Sequence, residues 1–248
     1  MRLKDKVVIV TGAGSGFGAG IARRFAEEGA KLVVNDLNAA GGARVAAEVR
    51  GEFVQADVSR DADWARLVQA AQQKFGRLDV VVNNAGWSHR KKPYLEVTEA
   101  EFDKVYAVNV KSIFLSARHA VPVFRDQGGG CLVNIASTGG IRPRPGLAVY
   151  NSSKAAVILM SKAMAAEFGP SKIRVNCVNP VFSPDTGLSA DFAGGALTPE
   201  VKAAYLATIP LGRFSTPGDI ANACLFLASD EASFVSGVCI EVDGGRCV

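Results

Sequence analysis

The chain has 248 residues, of which 48% are hydrophobic and 21% charged, and its formal net charge is +4. That balance describes an ordinary globular protein with ample apolar residues for a core. Lys and Arg are scattered, and only "HRKK" at 89–92 forms a basic run, which argues against nucleic acid as a partner. No apolar run approaches the roughly 18 residues of a membrane-spanning helix, so no membrane partner is expected. The opening "MRLKDKVVIVTG" enters a strand without a signal-like apolar region. Five cysteines without a C-x-x-C pair read as reduced cytoplasmic thiols rather than as a metal site or disulfide framework. The C-terminal pair Cys239 and Cys247 is the candidate for cross-linking under oxidation.

Apolar runs alternate with amphipathic stretches along the chain. "VVIV" is a strand, and "TGAGSGFG" at 11–18 follows it directly and opens a helix through "GIARRFAEEG". Gly12, Gly16 and Gly18 allow the backbone to turn sharply and approach a pyrophosphate, which a helix N-terminus favours electrostatically. Ser15 and Phe17 lie in the same turn. The next strand, "KLVVND", ends on Asp36, placed to accept hydrogen bonds from both hydroxyls of an adenine ribose. A ribose 2′-phosphate would meet that carboxylate with like-charge repulsion, and no Lys or Arg lies in the glycine turn or directly after Asp36. NAD is therefore expected over NADP.

A helical "AAGGARVAAEVR" and the strand "FVQADV" follow. Asp57 and Val58 at its end are placed for the adenine, although an Asp there serves equally as a turn or cap residue. After the helix "DADWARLVQAAQQKFG" comes "LDVVVNNAG". Asn84, Ala85 and Gly86 at its end are expected to line the adenosine side, the amides tying strand ends together. "EFDKVYAVNVKSIFLSARHAVPVFRDQ" reads as one long helix, then "GCLVNIAS" as a strand, then a helix opening at "VYNSSK". Thr98 with Glu101 and Thr216 with Asp219 stand at capping-box spacing. "KIRVNCVNP", "GDIANACLFLAS" and "CIEVDGG" complete the alternation. Seven apolar strands separated by helices predict an α/β protein: a single-domain Rossmann fold over 1–248, its parallel, doubly wound sheet covered by helices on both faces. The alternation lapses at "FSPDTGLSADFAGGALTP", 182–199, which reads as a flexible substrate loop reaching to about 205.

Tyr150 and Lys154 are one helical turn apart and share a face. Alone they read as a surface pair, as Ser137 alone reads as a strand-end cap. Together, "TGAGSGFG", "NNAG", Asn109 in "YAVNV", Ser137 in "NIAST" and Tyr150 with Lys154 in "YNSSK" resemble the short-chain dehydrogenase/reductase family, in order and in spacing, over essentially the whole chain. The resemblance implies an oxidoreductase, usually a homotetramer or homodimer, moving a hydride between NAD(P) and an alcohol or carbonyl. It assigns Tyr150 as base, Ser137 to the substrate oxygen, Lys154 to the nicotinamide ribose and Asn109 to a water relay. Free tyrosine has a pKa of about 10, and a neighbouring cation makes it a better base. Where the family reads N-P-G after the sixth strand, Val181 replaces the glycine, and Thr186 stands one position late. Pro180 and Thr186 are expected to shape the nicotinamide pocket.

Trp87 and His89, just past the fourth strand, and Arg142 and Arg144, just past Ser137, are candidates to meet an anionic substrate. "HRKKP", "LGRF" and "EVDGGR" resemble a subgroup of the family that oxidises anionic aromatic alcohols of the (hydroxymethyl)benzenesulfonate type. The alternatives are an NADPH-dependent 3-oxoacyl (acyl-carrier-protein) reductase, disfavoured by Asp36, and a non-catalytic dinucleotide sensor, disfavoured because all four catalytic positions are filled.

Overall fold

The computed structural model describes all 248 residues. Seven parallel strands form one sheet: β1 (Val7–Val10), β2 (Lys31–Asp36), β3 (Glu52–Gln55), β4 (Val80–Asn83), β5 (Gly130–Ile135), β6 (Ile173–Pro180) and β7 (Cys239–Val242). Their order is β3-β2-β1-β4-β5-β6-β7. The chain runs outward from β1 to β3 and then restarts on the other side of β1 at β4. That reversal leaves a crevice above the C-terminal ends of β1 and β4, where ligands of open α/β sheets bind.

Burial on both faces explains the unbroken apolar strands. α3 (Asp61–Phe75), α5 (Ser112–Asp126) and α6 (Ala148–Phe168) cover one face with Trp64, Leu67, Phe124 and Val157, which pack against Ile9 and Val81. α1 (Gly16–Glu27), α2 (Ala39–Glu48) and α9 (Pro217–Ala228) cover the other with Ile21, Phe25, Val45 and Leu225, against Val8 and Val10. Each such fully buried large side chain contributes roughly 1.5–3 kcal/mol. Both capping boxes form: Thr98 with Glu101 at α4 (Glu99–Tyr106), and Thr216 with Asp219 at α9.

Two expectations change. The long helix expected through "YAVNV" is two helices, α4 and α5, joined by a π-helical turn over Ala107–Lys111. The apolar period runs on through both, which hides the extra residue from any pattern reading, yet the turn buries Asn109. The segment after β6 is more ordered in its backbone than its composition suggests. It contains α7 (Ser189–Ala193) and α8 (Pro199–Leu206). A small satellite core of Val181, Phe182 and Ile209, with Phe192, Tyr205 and Phe214 around it, holds them. Phe182 stacks on Tyr205 with ring centroids 4.0 Å apart. These aromatics lie about ten residues apart in sequence, so no local period announces them. Cys239 sits opposite Cys177 in the β6–β7 register, and all five thiols are free.

Candidate active site

The crevice holds a cavity of about 410 Å³. Gly12, Ser15, Gly16, Phe17, Asp36, Asp57, Val58, Asn84, Ala85 and Gly86 line one part of it, and Ser137, Tyr150, Lys154, Pro180 and Thr186 line the other. Gly12 and Gly16 have φ of +62° and +53°, where a side chain would strain the backbone. Gly18 lies behind the wall. A Cβ there would stand 2.2 Å from the Gly12 carbonyl, so this glycine lets α1 pack onto the turn. The Asn84 amide donates to the Thr11 and Gly12 carbonyls at 2.8 and 3.0 Å, and Thr11 Oγ1 accepts from the Asn84 and Ala85 N–H groups. The asparagine thereby ties the ends of β1 and β4, and Asn83 ties β4 to α5 and β5, donating to Ser116 and Asn134 at 2.8 Å.

Asp36 lies at the cavity edge and accepts from the Gly14 and Asn38 N–H groups, each at 2.8 Å. A Cβ at Gly14 would stand 2.8 Å from its Oδ2 and would displace the carboxylate, a constraint that the motif's own spacing did not flag. Arg44 reaches the Gly14 carbonyl at 3.2 Å but is paired with Glu48 and does not line the cavity. Asp57 lines the cavity while also accepting from the N–H and hydroxyl of Ser59. The bonds to Ser59 are those of the turn reading.

At the other end, Tyr150 is 6% exposed and Lys154 4%. Lys154 Nζ donates to the Ile135 carbonyl at 2.8 Å and lies 5.8 Å from the centre of the Tyr150 ring. Burial pulls the ammonium down to about 8 and pushes the phenol up to about 12. A hydrogen bond from Ser137 and the charge of Arg144 act against that rise. Arg144 is thus the cation whose field bears on the phenol in the structure, beside Lys154 one turn away. Ser137 also caps the short 3₁₀ turn Thr138–Gly140, accepting from the Gly139 N–H at 3.0 Å. The Asn109 amide is engaged on both sides. Its Oδ1 accepts from the Trp87 N–H at 2.8 Å, and its Nδ2 donates to the Trp87 carbonyl and Ser153 hydroxyl at 2.9 Å. It braces the loop after β4 against α6.

The four substrate candidates separate. Trp87 and Arg144 line the cavity, whereas His89 and Arg142 do not. His89 is buried, with Nδ1 against the Arg90 carbonyl at 2.9 Å, because the backbone turns its ring inward. Arg142 is exposed and donates to the Arg246 carbonyl. Leu37, Lys104 and Asn151, which carried no sequence signal, complete the wall with Phe182, Leu188 and Phe192 of the expected substrate loop. The Phe192 ring lies 4.9 Å from that of Tyr150, and Thr186 approaches within 3.6 Å of the Cβ position of Gly16. One segment therefore covers both ends of the cavity.

Residues 12–246 match the family model described as enoyl-(acyl carrier protein) reductase. The chain is 52% identical to a 4-formylbenzenesulfonate dehydrogenase of Comamonas testosteroni, over 99% of both chains. This protein belongs to the short-chain dehydrogenase/reductase family. Within the family it is also 41% identical to a 2,5-dichloro-2,5-cyclohexadiene-1,4-diol dehydrogenase of Sphingobium indicum, over 100% of this chain and 98% of that one. A 3-ketoacyl-(acyl-carrier-protein) reductase from Brucella melitensis, solved with NADH, superposes with a TM-score of 0.94 at 43% identity, covering 99% of this chain and 100% of that one. As a short-chain dehydrogenase/reductase, the protein is an oxidoreductase that uses a nicotinamide dinucleotide and acts between alcohol and carbonyl. The side-chain-free glycine turn, the carboxylate at the end of β2 and the long cavity between them fit such a cofactor.

Proposed function

We propose that the protein is an NAD-dependent dehydrogenase of alcohols carrying an anionic group, aromatic primary alcohols first among them, with Tyr150 as the base. The observation that carries the substrate class is Arg144: a guanidinium in the cavity wall, without a carboxylate partner, in the same pocket as Tyr150. The relative from Comamonas testosteroni is named for an anionic aromatic carbonyl compound, which supports the same reading. Gly12, Ser15, Gly16, Phe17, Asn84, Ala85 and Gly86 would hold the pyrophosphate and adenosine, Asp36 the adenine ribose, Asp57 and Val58 the adenine, and Pro180 and Thr186 the nicotinamide. The cofactor supplies the hydride acceptor.

The protein's own residues supply the rest. Ser137 holds the alcohol oxygen and stabilises the charge that builds on it. Tyr150 takes the hydroxyl proton, with the cations Lys154 and Arg144 favouring its phenolate. Lys154 is also assigned to the nicotinamide ribose, and Asn109, assigned to the proton relay by family resemblance, keeps the Trp87 loop in place. The subunit is proposed to work in the cytoplasm as a homotetramer. Light scattering checks the assembly, the expected mass being four times the 26.0 kDa chain.

The test is NADH formation with NAD over 4-(hydroxymethyl)benzenesulfonate, 4-(hydroxymethyl)benzoate, benzyl alcohol and cyclopentanol. Tyr150→Phe is expected to keep NAD binding and to lose at least about 10²–10⁴-fold in kcat, the usual share of a general base. Ordinary turnover by that variant would remove Tyr150 from the role. The structural likeness to a 3-ketoacyl reductase favours a second reading, reduction of 3-oxoacyl thioesters. Faster turnover of such a thioester with NADPH than of any alcohol with NAD would establish it instead.

A further inference from the structure

Where the loop after β5 meets the C-terminal segment, three arginines converge. The Arg142 guanidinium donates to the Arg246 carbonyl, Arg144 lies in the cavity wall with its guanidinium carbon 4.6 Å above the Tyr205 ring, and Arg246 is 6% exposed. Arg246 is the anomaly. Its Nε and Nη1 are buried and have no hydrogen-bond acceptor, and it forms no ion pair. The nearby carboxylate, Asp243, is spent on the Gly245 and Cys247 N–H groups at 2.9 and 2.8 Å. A buried guanidinium with idle donors is costly unless an anion answers it. Burial first, and the Arg246 charge after it, make Arg144 give up its proton more readily, so the two cations share one low-dielectric region. Two uncompensated cations there make a positive potential directed at whatever enters beside Arg144.

We infer that Arg246 is a positioning residue for substrate charge: from behind Arg144 it completes a two-arginine subsite that receives the carboxylate or sulfonate of the alcohol and sets it against Tyr150. The inference rests on the anionic-alcohol reading above and adds the residue that makes Arg144 selective. Arg144 supplies the direct contact. Arg246 supplies field, so its loss should appear in the recognition of charge rather than in the chemical step.

The experiment is steady-state kinetics with NAD on 4-(hydroxymethyl)benzenesulfonate and benzyl alcohol, for the wild type, Arg246→Met and Arg246→Lys. In Arg246→Met the ratio of KM for the charged over the neutral alcohol is expected to rise about tenfold, while the corresponding kcat ratio moves less than about twofold. Arg246→Lys, which keeps a cation, should recover most of the KM ratio. An unchanged KM ratio in Arg246→Met overturns the inference, as does an equal loss on both alcohols. Thermal shift with NAD present supplies a readout that needs no turnover. Benzenesulfonate should raise Tm of the wild type and of Arg246→Lys, and benzyl alcohol at the same concentration should not; no rise in the wild type overturns the inference even if Arg246→Met fails to fold. A wild type indifferent to substrate charge would sink the anionic reading itself. A charge-selective wild type whose selectivity survives Arg246→Met would sink only the role of Arg246.

Discussion

Asp36, to which the proposed preference for NAD is assigned, has two oxygens that already accept from the Gly14 and Asn38 N–H groups. Those bonds orient the carboxylate while leaving it at the cavity edge, where a ribose phosphate would be repelled. Asp36→Ala is expected to lower kcat/KM with NAD about tenfold and to raise it with NADP, since one charge-assisted contact is lost and one repulsion removed. Rates with both cofactors check it, and an undiminished NAD preference would assign discrimination elsewhere. That Asp36, Ser137, Tyr150 and Lys154 meet at one cavity was legible from sequence, because each belongs to a motif whose spacing is fixed by the backbone geometry it serves. Arg144 was legible only as one of four basic or aromatic loop candidates. Whether a loop side chain points inward depends on contacts from distant segments, here Tyr205 for Arg144 and the Arg246 carbonyl for Arg142. Arg246 was visible only as the last residue of "EVDGGR" in the subgroup resemblance, since nothing in that stretch states that its guanidinium is buried without partners.

At the level of elements, the strands and most helices followed from apolar periodicity and capping residues, which are local properties. The π turn at Ala107–Lys111 and the helices α7 and α8 did not. Their stability comes from tertiary contacts, Asn109 with Trp87 in one case and the Phe182–Tyr205 stack in the other. α7 exists to present Phe192 to Tyr150. Phe192→Ala removes that ring contact and opens the cavity to water. It should raise KM for an aromatic alcohol about three- to tenfold, with a smaller change for NAD. Equal effects on both KM values would mean that α7 serves the fold rather than the substrate.

Across the whole molecule, the buried pair Tyr150 and Lys154 carries a cost in stability that pH can reveal. Lys154 has its folded pKa lowered to about 8 by burial, against an ordinary value of 10.5. Between those values the unfolded chain holds a proton that the folded one has released, so stability rises with pH over roughly 8 to 10.5. Tyr150 acts oppositely. Its folded value is raised to about 12 from 10.0, so the folded protein keeps a proton that the unfolded chain loses, and stability falls as pH climbs through that interval. Glu101, drawn down to about 2 by Lys92 and its own helix cap, adds stability above its unfolded pKa that is lost as pH falls through the folded one. Lys154→Met should therefore raise Tm near neutral pH, by about 2–4 °C per kcal/mol recovered, flatten the rise between pH 8 and 10.5, and abolish turnover. Differential scanning calorimetry across that range decides it; an unchanged pH slope in the variant would show that the ammonium is not the group responsible.

The strip of chain from 181 to 193 leans on Gly16 through Thr186 and on Tyr150 through Phe192. Because a single ribbon roofs both compartments, the nucleotide and the alcohol are expected not to come and go independently. Turnover should obey a compulsory sequence, coenzyme first aboard and last ashore.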